Sequence, residues 1–437
     1  MTERLVAWSR MTVVPALMLL LTASPARAAL EVEITQGVSG AQPIAIVPFA
    51  RDASVSGDTD IASVVDADLE RSGLFEPLAR DAMLETPGSV REVDYANWRS
   101  VEVDNVVVGR VSPDGRGGYR VSFDIIDVYK GRSIGGYEIS AREGGLRDAA
   151  HAVANRIYEQ FTGNKGYFLS RIAYVAVAQE NSGPTYRLVV ADYDGHNPQT
   201  IARSREPILS PAWHPAGTKL AYVAFDMKRG RSSLRIQDLG TGEVKEVSSR
   251  PGINGAPAWS PNGNKLAMTL SYRGNPDIYT YDLGDEQVRQ ITRNGAIDTE
   301  PSWSPDGSHI VFTSDRGGKP QVYRVRSGGG NAERLTFDGE SNQRPSYSPD
   351  GEKIVLVQGG NGFRIAVLDL ETNNMRVVSD GPLDEGPSFA PNGQVIIYAR
   401  QQGNSAELAT VSADGRIRNR LRQPGDVREP AWSPAGY

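Results

Sequence analysis

Few residues of this chain are arranged for catalysis. Gly131-Arg132-Ser133-Ile134-Gly135 fits the G-x-S-x-G frame of a serine nucleophile elbow. Such an elbow needs an apolar strand before the serine, a helix after it, and a histidine and an acid further along. Strand-like residues flank Ser133 on both sides, which predicts a β-hairpin instead. The four histidines are His151 in an apolar-periodic helix, His196 in a turn, His214 in a repeated turn motif and His309 at the head of a strand. Their spacing predicts neither a metal centre nor a Ser-His pair. Asp192-Tyr193-Asp194-Gly195 opens like a calcium loop, but Arg203 stands at the twelfth position where a glutamate is needed, so a hairpin turn is predicted. There is no cysteine, which excludes disulfides, thiolate metal sites and thiol nucleophiles. The chain carries no H-E-x-x-H, P-loop or G-x-G-x-x-G. A binding protein, not an enzyme, is expected.

The residues suited to binding are set by a repeat. Six copies of one motif occur: PAWHPAG from Pro211, PAWSPNG from Pro257, PSWSPDG from Pro301, PSYSPDG from Pro345, PSFAPNG from Pro387 and PAWSPAG from Pro430. Their aromatics, Trp213, Trp259, Trp303, Tyr347, Phe389 and Trp432, lie 46, 44, 44, 42 and 43 residues apart. That is the period of a propeller blade. The segments just upstream of each motif should enter from one face and ring the central channel. They are Ile208-Leu209-Ser210, Ile253-Asn254-Gly255-Ala256, Asp298-Thr299-Glu300, Asn342-Gln343-Arg344, Asp384-Glu385-Gly386 and Arg428-Glu429. Polar and acidic groups mixed with aliphatics suit an extended peptide or a protein loop. The clustered carboxylates there also offer oxygen ligands to a cation such as Ca²⁺. The motif aromatics are assigned to packing between blades.

The elements that position this mouth follow from the period. After each Pro-Asp/Asn-Gly turn runs an alternating strand, then a second strand and a short polar third. The array opens with three strands and no motif (171–178, 186–193, 200–202) and closes with a motif strand (427–432) and nothing after it. Joining the two incomplete ends makes a sixth blade and removes the open edges. The predicted fold is an N-terminal mixed α/β domain (29–165) followed by a six-bladed β-propeller (166–437) closed by the C-terminal strand. In the N-terminal domain, helices are expected from about Thr59 to Gly73 and from Leu146 to Phe161.

At 437 residues, with 39% hydrophobic and 23% charged residues, the chain has the size and composition of a folded, two-part protein. Residues 1–28 read as a signal peptide: Arg4 and Arg10, the apolar run 11–21, and Ala26-Arg27-Ala28 as cleavage site. Their removal takes the net charge from −6 to −8. With no basic patch to meet phosphates, nucleic acid and direct membrane insertion are not expected, and the product should be a monomer exported to the periplasm. Leu30-Glu31-Val32-Glu33-Ile34, in an arm spanning 29–40, alternates at the mature terminus. It either docks as an edge strand or adds a strand to a partner's sheet, and the alternation favours docking.

With domain order, terminal clasp, and the stretches Pro43 to Phe49, Ala67 to Gly73, Arg316 to Tyr323, Asn254 to Pro257 and Thr299 to Pro301, the chain resembles the TolB family, periplasmic components of the Tol-Pal system of Gram-negative bacteria. The resemblance implies that the mouth binds the peptidoglycan-associated lipoprotein Pal, and that colicins exploit the same site. Ala256, Thr299 and Glu300 fit the family's Pal-binding pattern. The role extends to Ile208, Leu209, Ile253, Asn254, Asp298, Gln343, Arg344, Asp384, Glu385 and Arg428, with Ile253 standing where the family pattern has a histidine. It implies that the arm, with Leu30, Glu31, Val32, Glu33 and Ile34, binds TolA. Other outer-membrane proteins are further implied partners, and outer-membrane integrity and invagination at division the implied roles. The rivals are a propeller-type hydrolase, which needs a catalytic α/β-hydrolase domain, and a small-molecule-binding propeller or metal-dependent lyase, which needs histidines converging on the mouth.

Overall fold

The computed structural model describes residues 31–36, 40–181, 183–422 and 425–434. The signal peptide assigned to 1–28, and Leu30 of the arm, lie outside them. The arm strand is β1 (Glu31–Gln36). The N-terminal domain then runs β2 (Gln42–Ile46), β3 (Ala50–Arg51), α1 (Ile61–Arg71), β4 (Phe75–Pro77), α2 (Tyr95–Ser100), β5 (Asn105–Pro113), β6 (Tyr119–Asp127), β7 (Arg132–Ala141) and α3 (Leu146–Thr162). Its sheet has the order β4-β2-β5-β6-β7, with β3 beside β5. Asp60 caps α1 by accepting from the Ser63 amide at 3.1 Å, and Gly163 ends α3 in the left-handed conformation that glycine tolerates. The apolar stripes Ile61, Val65, Leu69 and Val153, Ile157 meet over the sheet in one core. Ser133 lies on β7, in the hairpin expected of it, with its hydroxyl 3.1 Å from Asp124 Oδ1.

Six four-stranded blades follow. Blade one joins Arg171–Glu180, Gly183–Asp192 and Gln199–Ser204 to the C-terminal strand Asp426–Trp432, which pairs antiparallel with the first of them. Blades two to six begin at the inner strands Ile208–Trp213, Asn254–Trp259, Asp298–Trp303, Ser341–Tyr347 and Asp384–Phe389. The motif aromatics peg blade to blade. The indole Nε1 of Trp213 donates to the Ala431 carbonyl (3.0 Å), that of Trp259 to Ala212 (3.1 Å) and that of Trp303 to Ala258 (3.1 Å). Each indole so satisfies its one polar atom in the neighbouring blade's motif strand. Trp432 breaks the chain and donates to Ser170 Oγ at 2.7 Å, at the seam with the N-terminal domain.

The N-terminal domain sits on the propeller face opposite the mouth and shares its core with blades one and six: Ile397, Leu408, Leu421 and Trp432 cluster with Leu69, Ile157 and Phe168. Gly73, at φ 68°, touches this seam so closely that a Cβ there would stand 2.6 Å from Ile417 Cγ2. A buried polar network crosses it. Asp68 of α1 faces His151 Nδ1 of α3 at 2.6 Å and accepts from the Tyr193 hydroxyl of blade one at 2.5 Å. Asp194 pairs with Arg147, and with Arg71 at 3.6 Å. Burial disfavours the charged imidazole of His151, yet the hydrogen bond and charge of Asp68 outweigh it and hold His151 above its ordinary range.

Candidate functional site

The inner strands present three successive positions before each motif proline, and each position has one fate. The third residue before the proline, Ile208, Asn254, Asp298, Asn342, Asp384 or Val427, is buried in every blade. The second, such as Leu209, Thr299, Gln343, Glu385 and Arg428, is partly or fully exposed on the mouth. The first, Ser210, Ala256, Glu300, Arg344, Gly386 or Glu429, has positive φ between 47° and 63°. At that point the register with the next strand slips in all six blades. Proline explains the slip: it has no N–H to give to the ladder, so the strand bulges where the motif begins. Five of the six residues are not glycine and hold a conformation that costs about 1–2 kcal/mol each.

The bulge decides which side chains reach the channel. Residues at the left-handed position line a cavity of about 630 Å³ together with the ring of motif prolines. Ile208, Asn254, Asp298 and Asp384, expected to ring the channel, instead turn into the blades, because the bulge shifts the facing by one residue. Ile208 packs into the core of blades one and two, and the three polar residues fix the loops. Asn254 accepts from Ser248 Oγ (2.6 Å) and donates to the Arg250 carbonyl (2.7 Å). Asp298 accepts two hydrogen bonds from Arg316 Nη2 (3.0 and 2.9 Å), and Asp384 accepts from the Gly381 amide at 2.9 Å.

Inside the channel, Arg344 spans from blade five over Gly386 to Glu429 of blade one, donating to both carboxylate oxygens at 3.0 and 2.8 Å. Its Nε also stands 3.4 Å from Glu300 Oε1. Glu300 Oε2 accepts from Thr313 Oγ1 (2.8 Å) and from the Arg344 amide (2.9 Å). Burial opposes the charge of Arg344, but Glu429 and Glu300 prevail and hold its guanidinium above its ordinary value. Among the described residues no group of three His, Cys, Asp or Glu side chains is placed to hold a metal ion. Glu300 and Glu429 are engaged by Arg344, and Asp298 by Arg316.

Around the mouth stands a set of side chains that the sequence reading passed over except for Ile253. On its loops Met227, Ile253, Ile297, Phe337 and Leu383 are 67, 49, 50, 71 and 43% exposed, and Phe363, at the head of the strand Gly362–Asp369, is 42% exposed. A groove of about 540 Å³ between blades two and three is floored by Leu209, Val223, Phe225, Met227 and Ile253. Arg250 and Arg273 stack over Tyr272 at 4.7 and 5.5 Å, and Arg334 over Phe337 at 5.0 Å, so the apolar rim is framed by cations. One signal was available: Ile297, Phe337 and Leu383 stand beside Gly295, Gly339 and Gly381, in turns outside any alternating strand.

The arm lies elsewhere. β1 extends blade six as a fifth strand, pairing antiparallel with Arg418–Arg422 from Glu31↔Arg422 to Gln36↔Arg418. Arg418 Nη1 donates to Gln36 Oε1 at 2.7 Å. Of the two alternatives the docked one is seen.

Known proteins match this architecture. Residues 30–134 match the family described as the TolB amino-terminal domain, and residues 158–436 the one described as the TolB beta propeller domain. A Tol-Pal system protein TolB of Thioalkalivibrio sulfidiphilus is 52% identical over 94% of this chain and 94% of its own length. Another, from Nitrosococcus oceani, is 50% identical over 98% of this chain and 99% of its own. The crystal structure of TolB from Acinetobacter baumannii superposes with a TM-score of 0.83 at 40% identity, covering 93% of this chain and all of that one. Among the described residues no helix is long and apolar enough to cross a membrane.

Proposed function

The chain belongs to the TolB family of the Tol-Pal system, and we propose that it acts as a periplasmic protein–protein adaptor, capturing Pal at the propeller mouth and TolA through the N-terminal arm. One observation carries the reading. Six of the eight large apolar side chains exposed on the propeller among the described residues, all but Val244 and Val377, gather on the mouth face around a polar channel, with arginines stacked beside them. Contiguous exposed apolar surface rimmed by polar groups marks protein recognition. Leu209, Ile253, Ala256, Thr299, Glu300, Gln343, Arg344, Glu385 and Arg428 form the contact surface, while Asn254, Asp298 and Asp384 hold its loops in place and Ile208 packs in the core of blades one and two.

The arm supports the second partner. Glu31 to Ile34 sit in a terminal strand at the outer edge of a blade, a place from which a strand can be exchanged for one in another sheet. Two partners at separate places make a link through which the protein supports outer-membrane integrity and constriction at division; it performs no chemistry of its own. The test is a pull-down from envelope extract with the mature protein, a Thr299→Ala, Glu300→Gln variant and a form lacking residues 29–40. The mouth variant should lose Pal and keep TolA; the truncated form should do the reverse. Unchanged capture by either would overturn its half of the proposal.

A further inference from the structure

We infer that the sector of the mouth over blades two and three is a docking surface for an acidic protein segment carrying one large apolar side chain. The inference rests on the adaptor reading and names the chemistry of what the mouth captures. Four loops build the sector: 226–231 and 249–253 at blade two, 271–276 and 291–297 at blade three. Hydrogen bonds tie them into one ridge. Arg231 Nη1 donates to the Ser249 carbonyl (3.3 Å), the Ile253 amide to Ser271 Oγ (2.7 Å) and Asn275 Nδ2 to the Ala296 carbonyl (2.6 Å). A surface ordered before contact loses less entropy on binding.

Two observations specify the partner. The first is charge. The ridge carries Lys228, Arg229, Arg231, Arg250, Arg273 and Arg293, all exposed, against one carboxylate, Asp226, which stands 3.4 Å from Arg229. Among the described residues none of the other five is in an ion pair. Elsewhere on the mouth the cations are answered in place: Arg316 by Asp298 and Arg400 by Asp380, each at 2.9 Å, and Arg428 by Asp426 at 2.8 Å. Along the chain the six are scattered from 228 to 293 and form no run, so the basic patch that the linear sequence lacks is assembled by folding. In a chain of net charge −6, an unanswered positive sector attracts carboxylates. The second is the groove of about 540 Å³ among these loops, lined by Leu209, Val223, Phe225, Met227 and Ile253, with Arg231 beside them. An apolar pocket next to unpaired cations suits a buried anchor residue flanked by carboxylates. An anionic lipid surface fits less well, because Asp338, Glu340 and Asp380 are exposed on other loops of the same face and would meet it too.

The experiment measures association of the mature protein with Pal by stopped-flow fluorescence at low and high ionic strength. An Arg250→Gln, Arg273→Gln, Arg293→Gln variant should associate about tenfold more slowly than the parent at low salt, and like it at high salt. The same charge change away from the mouth, Lys245→Gln, Lys265→Gln, Arg289→Gln, should alter the rate by less than about twofold. Met227→Ser should speed dissociation and leave association unchanged. Equal low-salt rates for the parent and the mouth variant would overturn the inference and leave the adaptor reading standing. A parent that fails to bind Pal would overturn the adaptor reading, and the sector is then read with labelled peptides by fluorescence polarisation. Glu-Glu-Phe-Glu-Glu should bind about tenfold or more tightly than Lys-Lys-Phe-Lys-Lys or Glu-Glu-Ser-Glu-Glu, and equal binding of the three would overturn the inference. Sedimentation with phosphatidylglycerol vesicles that the mouth variant loses would overturn it as well, in favour of a lipid surface.

Discussion

Trp432 closes the propeller and pins it to the N-terminal domain, and its replacement should cost more than that of any motif aromatic that only joins blades. It is 6% exposed, its ring meets Tyr167 edge-on at 5.6 Å, and its Nε1 donates to Ser170 Oγ at 2.7 Å. Truncating a buried tryptophan to alanine costs ~3–5 kcal/mol. Losing an edge-on aromatic contact adds ~0.5–1.5 kcal/mol. Trp432→Ala is therefore expected to destabilise by ~4–6 kcal/mol. Trp432→Phe keeps a ring against Tyr167 and loses the N–H, for ~1–2 kcal/mol. Trp303→Ala, at 9% exposure and bonded to a neighbouring blade alone, should fall near ~3–4 kcal/mol. Equilibrium urea unfolding followed by far-ultraviolet circular dichroism measures all three. A double-mutant cycle with Tyr167→Leu isolates the seam contact and should return ~0.5–1.5 kcal/mol. A Trp432→Ala cost no greater than that of Trp303→Ala, together with zero coupling to Tyr167, would refute the seam argument.

On the mouth, Phe337→Ser and Ile297→Ser remove exposed apolar groups and should weaken Pal capture by about tenfold or more, with melting temperature changed little; calorimetric titration against Pal checks both. Asp66, whose Oδ1 is buried without a partner, is pushed by burial from its ordinary 3.8 to about 7. A carboxyl raised in the fold costs nothing below its unfolded value and most above its folded one, so stability should fall from pH 4 to 7. Asp66→Asn should flatten that decline and gain at most ~4 kcal/mol at neutral pH in denaturant melts. His151 is raised too, by Asp68, so its contribution is full below about 6.5 and lost as pH climbs through its folded value. His151→Asn should abolish that loss, read as a smaller drop in melting temperature between pH 6 and 8.

What the sequence made legible was whatever repeats or alternates. The motif spacing predicts six blades, and the unmatched ends predict closure by a strand over 427–432, which the structure shows as Asp426–Trp432. The facing of Asn254, Asp298 and Asp384 was hidden because period-two reasoning assumes an unbroken ladder, and the bulge before each proline breaks it. The Asp68, His151, Tyr193 network was hidden for another reason: its members lie 83 and 125 residues from Asp68, and each alone reads as an ordinary helix or turn residue. Exposure of Met227 and Phe363 is likewise a tertiary fact, since an apolar residue at the end of a strand looks the same whether covered or bare.

The docked arm has a mechanical meaning. β1 hangs on blade six by backbone bonds perpendicular to its length. A pull along the strand axis loads those bonds together, in shear, whereas a pull outward from the blade loads them one after another, as a zipper opens. The arm is therefore a directional fuse: it resists tension along the blade edge and releases under tension away from it. The closed ring behind it, with no free blade to unravel, stays whole when the fuse opens.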